Sequence, residues 1–253
     1  MNKRVHIVRK IALFVLLFVC FAFCFAANIY NTQVDNAERN FKEGNFSKTI
    51  EIYESLIKIE KIQDPYIYYN LSNAYYRNGD LGKAILNIEK AFKLAPRDKE
   101  IKSNMKFLYT LVGHDKEQNI KDIVLKCFTL NEITIATSIL LILFFAAVSL
   151  FIIKKNLIFK NFVLFLLFFL FFCISILTLK ACQEFTLKEA VILASASVRS
   201  GPGENNPEIF SISEGKLVNI VARNGHWVNI RFKSKGEDFI GWIPNNDIGT
   251  INE

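Results

Sequence analysis

The pattern of hydrophobic and polar positions changes sharply along the 253 residues. A basic start at residues 1–10 leads into an apolar run, and two further apolar stretches cover residues 133–153 and 161–179. From Asn36 to Lys93 the apolar residues recur with helical spacing, whereas residues 189–250 carry short β-branched runs separated by turn signals. The pattern therefore predicts a helical region, apolar helices and a separate β region.

The N-terminal run has the features of a secretory signal. Ile11 to Phe25 is apolar, and Cys24 and Ala26 place small residues at the two positions that a signal peptidase needs. We expect cleavage after Ala26. An uncleaved N-terminal anchor is the alternative, because the apolar run is slightly long for a signal. In either case the following residues lie outside the cytoplasm.

The two later apolar stretches are predicted to be membrane-spanning helices. Residues 133–153 contain no charge and are long enough, at ~1.5 Å per residue, to cross a ~30 Å hydrocarbon core. The second span covers residues 161–180. The loop between them, residues 154–160, holds three lysines and no acidic residue, so the positive-inside rule makes it cytoplasmic. Residues 28–130 and 182–253 then share the outer side of one membrane.

Composition and charge agree with this division. The chain is 51% hydrophobic and has a formal net charge of +7. Residues 1–27 and 133–180 each carry +4, whereas residues 28–132 carry +1 and residues 181–253 carry −2. The basic residues therefore flank the apolar segments, and neither polar region has the basic face that nucleic-acid phosphates require. We expect no nucleic-acid partner.

The helical region contains an internal repeat. The stretches that begin at Gly44 and Gly79 align with an offset of 35 residues, a period typical of stacked helix pairs. The second copy resembles the tetratricopeptide repeat, with Thr49 of the first copy standing where the second has Ala84. A further helix over residues 97–112 is predicted to be the capping helix. The resemblance rests on Tyr68, Leu71, Ser72, Tyr75, Ala84, Ile88, Ala91 and Pro96.

One face of the helix after Pro65 is a candidate partner-binding surface. Aromatic, amide and basic side chains recur there at i, i+3, i+4 and i+7 spacing, and such a mixture suits a peptide groove. The alternatives are a solvated surface or a contact with a neighbouring repeat. Glu38 and Arg39 are weaker candidates for the same groove. The partner-binding candidates are Tyr66, Tyr69, Asn70, Asn73, Tyr76 and Arg77.

The β region resembles the bacterial SH3 domain, which predicts a small β-barrel. The resemblance rests on the run from Ser197 to Pro202 and on two spaced tryptophans. Trp227 follows the turn at Gly225, and Trp242 follows Gly241 directly. Bacterial SH3 domains often bind cell-wall peptides or proteins, so Trp227 and Trp242 are ligand candidates. The alternative is that both tryptophans fill the core of a small barrel, and Arg199 is expected to be a structural turn residue.

Catalytic chemistry has no support in the sequence. The chain lacks a Gly-x-Ser-x-Gly, His-Glu-x-x-His, Walker or Cys-x-x-Cys motif. We therefore expect no catalytic residue, no metal ion and no cofactor. Cys127 and Cys182 flank the two predicted spans near the outer interface, where a disulfide between them is one interpretation and two unpaired cysteines are the other.

The whole order of modules resembles the BatE proteins of the bacterial aerotolerance (Bat) operon. The resemblance implies a membrane-bound partner of von Willebrand factor A-type proteins, BatD-like proteins and a MoxR-type ATPase, located in the bacterial inner membrane with both polar regions in the periplasm. Two hypotheses follow, a scaffold that binds proteins through its repeats and a sensor or anchor that reads peptidoglycan through its SH3-like domain. The predicted domains are a signal peptide or anchor (1–27), tetratricopeptide repeats with a capping helix (28–112), a linker (113–132), two transmembrane helices (133–153 and 161–180) around a basic loop (154–160), and an SH3-like domain (185–253).

Overall fold

The computed structural model describes residues 30–59, 61–113, 128–154, 156–186, 188–234 and 237–251. The chain divides into two compact units, one ending at Gln63 and the other beginning at Asp64. The predicted signal peptide, residues 114–127 of the predicted linker, and Cys127 lie outside the described residues.

The first unit contains a helix pair. Helix α1 covers residues 30–42 and helix α2 covers Phe46–Lys58. Gly44 has a φ of +82° in the turn between them, a backbone conformation that glycine adopts without steric cost. Ala37 of α1 and Tyr53 and Leu56 of α2 are buried, which is the burial that an apolar stripe at helical spacing predicts.

The second unit begins with three helices, α3 (Pro65–Asn78), α4 (Leu81–Leu94) and α5 (Lys99–Leu111). Asp64 caps α3 by accepting a hydrogen bond from the Tyr66 amide at 2.7 Å, and Pro65 occupies the first turn. Gly79 ends the helix with a φ of +91°. Asp98 caps α5 in the same way as Asp64 caps α3.

Each helix pair has one buried hydrogen bond from a hydroxyl of one helix to a carbonyl of the other, and the donor and acceptor positions are exchanged between the two pairs. In the first pair the Thr49 hydroxyl of α2 donates to the Ala37 carbonyl of α1 at 3.4 Å, and in the second the Ser72 hydroxyl of α3 donates to the Ala84 carbonyl of α4 at 2.7 Å. All four residues are fully buried. With the 35-residue offset, Ala37 aligns with Ser72 and Thr49 with Ala84. The Thr49 departure from the repeat pattern therefore moves the hydroxyl to the other helix and keeps the contact.

Two long apolar helices follow, α6 (Leu130–Lys154) and α7 (Leu157–Thr186). Both are long and apolar enough to cross a membrane, and only 11% of the most apolar window of each is buried, so neither is a core helix. The connection between them is shorter than the predicted loop of 154–160, because α6 continues to Lys154 and α7 begins at Leu157. Hydroxyls in these helices return hydrogen bonds to carbonyls one turn earlier, at Thr134, Thr137, Ser138, Ser149 and Ser175.

The remaining residues form one antiparallel sheet of seven strands in the order β3-β2-β6-β5-β4-β1-β7. One cluster of aliphatic side chains draws on all seven strands, which requires a strongly curved sheet. Nevertheless β3 and β7 remain the edges of the strand order, so the prediction of a closed barrel is not confirmed. The strands are β1 (Lys188–Ile192), β2 (Ala196–Arg199), β3 (Glu208–Ile212), β4 (Leu217–Asn224), β5 (Trp227–Ser234), β6 (Glu237–Pro244) and β7 (Ile248–Thr250).

The sheet packs on α4 and on the end of α5, and we call this contact the α4–sheet interface. Helix α4 touches both β1 and β7. The Lys216 ammonium, before β4, donates to the carbonyls of Val112 and Gly113 at 3.0 and 3.4 Å, so it satisfies carbonyls at the end of α5. Because α4 contacts β7, this edge strand is covered by a helix, which is a common protection of sheet edges.

Glycines mark the closest approaches at the α4–sheet interface. A Cβ on Gly82 of α4 would lie 2.4 Å from the Leu193 carbonyl oxygen. A Cβ on Gly215 would lie 2.6 Å from Cδ1 of Ile85, and one on Gly249 would lie 2.5 Å from Cδ2 of Leu86. At Gly82 the close atoms are backbone atoms that cannot rotate away, and Gly215 has a φ of +76°, so these two positions favour glycine, whereas at Gly249 the close atoms are the ends of leucine side chains.

Candidate partner-binding surface

Helix α3 divides into a buried face and a partly exposed face. The buried residues are Ile67, Leu71, Ser72, Ala74 and Tyr75. Four residues of the repeat pattern are in this helix, and three of them, Leu71, Ser72 and Tyr75, are in the buried set, whereas the fourth, Tyr68, is half-buried. The six candidate partner-binding residues lie outside the buried set.

Four of the six candidates form pairs with residues of α5 or its cap. The Tyr66 hydroxyl donates to Oδ2 of Asp98 at 3.0 Å, and the Tyr69 hydroxyl donates to Oε1 of Glu100 at 2.9 Å. The pairs continue along both helices and define what we call the α3–α5 surface. The other two pairs are Asn73 with Asn104, whose Nδ2 donates to Oδ1 of Asn73 at 2.8 Å, and Tyr76 with Phe107, whose rings meet edge to face at 5.4 Å.

These contacts agree better with a contact to a neighbouring repeat than with a solvated surface that has no contacts. The α3–α5 surface is nevertheless open to solvent. Tyr66 is 53% exposed and Phe107 is 43% exposed. The pairing fixes the rotamers of the aromatic side chains, and groups that are already ordered lose less entropy when they bind a partner. The α3–α5 surface is therefore a preorganised strip of aromatic, amide and carboxylate groups.

Carboxylates set the electrostatics at one end of the strip. The Asp98 carboxylate accepts hydrogen bonds from the amides of Ile101 and Glu100 and from Tyr66, and the bond from Ile101 is the largest cause of the lowered pKa of Asp98. The hydrogen bond to Asp98 raises the pKa of Tyr66, and the charges of Asp98, Glu100 and Asp64 raise it further. Burial raises the pKa of Tyr69.

The other predicted positions are less closely tied to this strip. Asn70 is half-buried and Arg77 is exposed at the end of α3. Glu38 and Arg39 are both exposed on α1, which belongs to the first compact unit. Sequence reasoning missed the contribution of α5. Glu100, Asn104 and Phe107 have the i, i+4 and i+7 spacing of residues that share one face of a helix, and this spacing could have predicted an exposed face on α5.

The two tryptophans lie on the face of the sheet opposite its aliphatic core. Val228 and Ile230 of β5 belong to the core, so the alternating Trp227 and Asn229 face the other way. Trp242 of β6 pairs with Asn229 on one side and with Arg199 of β2 on the other. Both tryptophans are half-buried. The core-filling alternative therefore does not describe where these side chains lie.

Other polar groups near the tryptophans have mainly structural contacts. Nη1 of Arg199 donates to the carbonyls of Glu204 and Asn206, each at 2.8 Å, and so holds the turn after β2 as the sequence predicts. The Oδ1 atom of Asn229 is buried and has no hydrogen-bond partner among the described residues. Cys182 is exposed near the end of α7. Within the described ranges, no group of three or more His, Cys, Asp or Glu side chains is placed to hold a metal ion.

Comparison with known proteins identifies the helical module. Residues 65–98 match the family model of the tetratricopeptide repeat. The match begins at the first residue of α3 and ends at the cap of α5, so it covers the helix pair that carries the candidate face. No curated protein gives a significant match to the chain. The repeat is a module for protein–protein interaction and is not itself an enzyme, which makes protein partners the expected ligands of the α3–α5 surface.

Proposed function

We propose that the protein is a non-enzymatic, membrane-anchored scaffold that binds a protein partner on its α3–α5 surface. The observation that carries this proposal is the coincidence of the tetratricopeptide match at residues 65–98 with the exposed, preordered strip on α3. Aromatic residues with few rotatable bonds and fixed amides supply contact area and hydrogen bonds at low entropic cost.

The length and apolar character of α6 and α7 support anchoring in a membrane, and the contact between the regions that flank them supports a position of both regions on one side. Helix α4 precedes α6, and the sheet follows α7, yet the two pack together at the α4–sheet interface. If both apolar helices cross a membrane, this contact requires an even number of crossings between the modules, as a helical hairpin provides. The basic residues Lys154, Lys155 and Lys160 then favour a cytoplasmic turn and periplasmic modules.

The resemblance to BatE proteins narrows the proposed partners. A repeat module, an apolar hairpin and a C-terminal β module that resembles the bacterial SH3 domain occur here in the order of that family. We therefore propose a role in a Bat-type aerotolerance or stress complex of the inner membrane, with von Willebrand factor A-type and BatD-like proteins and a MoxR-type ATPase as partners. Clustering of the encoding gene with genes for such proteins supports this role, and its absence counts against it.

Crosslinking and affinity purification from membranes test the scaffold. The variant Asn73→Ala with Arg77→Ala removes two polar groups of the predicted face and should lose the main crosslinked partner. Lys102→Ala is the matched control, because Lys102 is an exposed residue of α5 outside the strip. Retention of the partner by the double variant, with helix content unchanged, would contradict the proposal.

The second candidate function is recognition of peptidoglycan by the C-terminal sheet. The position of Trp227 and Trp242 on the face opposite the core favours it, since half-buried aromatic rings are typical of ligand surfaces. Trp242→Ala should then abolish binding of purified muropeptides while the crosslinked partner is retained. Equal muropeptide binding by the variant and the unaltered chain would remove this candidate.

A further inference from the structure

The α3–α5 surface changes its chemistry from one end to the other. Three carboxylates, Asp64, Asp98 and Glu100, lie around the Tyr66 phenol at the start of both helices. Amide groups of Asn73 and Asn104 occupy the middle. At the far end, the ring pair of Tyr76 and Phe107 is followed on α5 by Leu111, which is 46% exposed.

The basic residues of α5 do not offset the acidic end of the strip. Lys99, Lys102 and Lys106 are exposed, and each lies about 100° or more around the helix from Glu100. The charges that shift the pKa of Tyr66 are all carboxylates. A cation placed beside Tyr66 would therefore meet the negative potential of these carboxylates in a partly exposed setting.

The far end offers a different contact. Phe107 and Leu111 are large apolar side chains that remain about half exposed, and the edge-to-face packing of Phe107 on Tyr76 holds the ring in place. An apolar side chain of a partner would bury area against these three residues. The amides in the middle carry the donors and acceptors that a peptide backbone needs.

The length of the strip fixes the spacing between these two contacts. Tyr66 and Tyr76 are ten residues apart on α3, which corresponds to ~15 Å along the helix axis. An extended chain covers that distance in about four or five residues, at ~3.3 Å per residue. A partner segment can therefore reach both ends of the strip with a short, extended stretch.

We propose that the α3–α5 surface binds an extended protein segment in which a lysine or arginine lies about four or five residues from a large apolar residue. The basic side chain contacts Asp98 and Glu100, the backbone contacts Asn73 and Asn104, and the apolar side chain packs on Tyr76, Phe107 and Leu111. This inference rests on the proposed scaffold function and specifies the chemistry of the partner.

A random nine-residue peptide library, displayed and selected on the full chain in lipid nanodiscs, tests this specificity. Selected peptides should be enriched by up to about fivefold in Lys or Arg at the stated spacing from Leu, Ile, Phe or Met. The variant Glu100→Lys should weaken the preference for a basic residue without inverting it, because Asp64 and Asp98 remain at that end of the surface. Phe107→Ser should remove the apolar preference and keep the basic one.

Controls separate a change of specificity from a loss of fold. Glu208→Lys makes the same charge change on an exposed residue of β3 and should leave the selected motif unchanged. Circular dichroism of each variant should show the helix content of the unaltered chain. An undiminished basic enrichment in the Glu100→Lys variant, or selection of peptides without a basic residue by the unaltered chain, would overturn the inference.

The result is distinguishable from failure of the scaffold function itself. If Asn73→Ala with Arg77→Ala loses the crosslinked partner while peptide selection shows no charge preference, the surface binds a partner of another chemistry and only the present inference falls. If the double variant keeps its partner and the library yields no enriched peptide, both the inference and the scaffold function fall.

Discussion

The substitution Gly82→Ala tests the α4–sheet interface, because it should stabilise the chain if α4 lacks this contact and destabilise the chain if the contact is present. Gly82 is in the first turn of α4, and in a helix without tertiary contacts the change to alanine stabilises by up to about 1 kcal/mol. In the structure, the added Cβ would lie 2.4 Å from the Leu193 oxygen, 2.7 Å from the Ile192 oxygen and 2.8 Å from the Leu193 carbonyl carbon. All three are backbone atoms, so no side-chain rotation relieves the contact.

The expected magnitude follows from these opposing effects. Overpacking of this kind costs about 1–3 kcal/mol, because the strand backbone has to shift. The free energy of unfolding should therefore fall by up to about 2 kcal/mol, or the sheet should separate from α4. Ser47→Ala is the matched control, since Ser47 aligns with Gly82 in the first repeat and is exposed on α2. Its effect should stay within about 0.5 kcal/mol.

Two optical signals follow the helices and the sheet separately. Both tryptophans of the chain are in the sheet, so fluorescence reports on the sheet, whereas circular dichroism at 222 nm reports mainly on the helices. Hydrogen exchange of residues 188–193 should accelerate in Gly82→Ala. A variant with raised thermal stability and unchanged exchange in those residues would refute the interface.

Three further predictions concern the hydrogen bonds of the second unit. Ser72→Ala should cost about 1 kcal/mol in thermal unfolding, and Ser72→Ala with Ala84→Thr, which copies the Ala37–Thr49 arrangement of the first pair, should recover most of it. Lys216→Met should lower the free energy of unfolding by about 0.5–1 kcal/mol and increase proteolysis at the end of α5. Because the pKa of Asp98 is lower in the folded chain, its stabilisation is present above the unfolded-state pKa and is lost as the pH falls through the folded pKa. Asp98→Asn should flatten that acid limb in chemical denaturation.

Each of these predictions has an outcome that contradicts it. Equal stability of the single and double variants at Ser72 and Ala84 would mean that the hydrogen bond with exchanged donor and acceptor positions contributes nothing. A Lys216→Met chain that unfolds and resists protease like the unaltered chain would remove the role of Lys216 at the end of α5. An unchanged acid limb in Asp98→Asn would place the acid sensitivity at other carboxylates.

The local elements were largely predictable because their signals are local. Gly44 and Gly79 stand in turns with positive φ, Asp64 and Pro65 start α3, and the small residues Ser72 and Ala84 meet between helices. The sequence also predicts a helical array, two long apolar helices and a β region, and the structure confirms those three elements. The closed barrel is a finer expectation that the open strand order does not confirm.

The long-range contacts were not predictable from local patterns. Gly82 reads in the sequence as one more small residue of a repeat, and its requirement for glycine comes from the Leu193 backbone far along the chain. Likewise the sequence offered a contact of the α3 tyrosines with a neighbouring repeat as an alternative, but it did not identify Asp98 and Glu100 as their partners. Periodicity identifies which residues share a face, but it does not identify the element that packs there.

The coverage of α4 by β7 has a consequence for biosynthesis. The contact of Lys216 with Val112 spans 104 residues, and Leu86 meets Gly249 only after the ribosome has passed β7. Until then the apolar side chains of α4 at this contact stay uncovered, because non-local contacts form late. A nascent or truncated chain that ends before β7 therefore presents Leu86 to chaperones and proteases. The same helix face that joins the two modules thus distinguishes finished chains from unfinished ones.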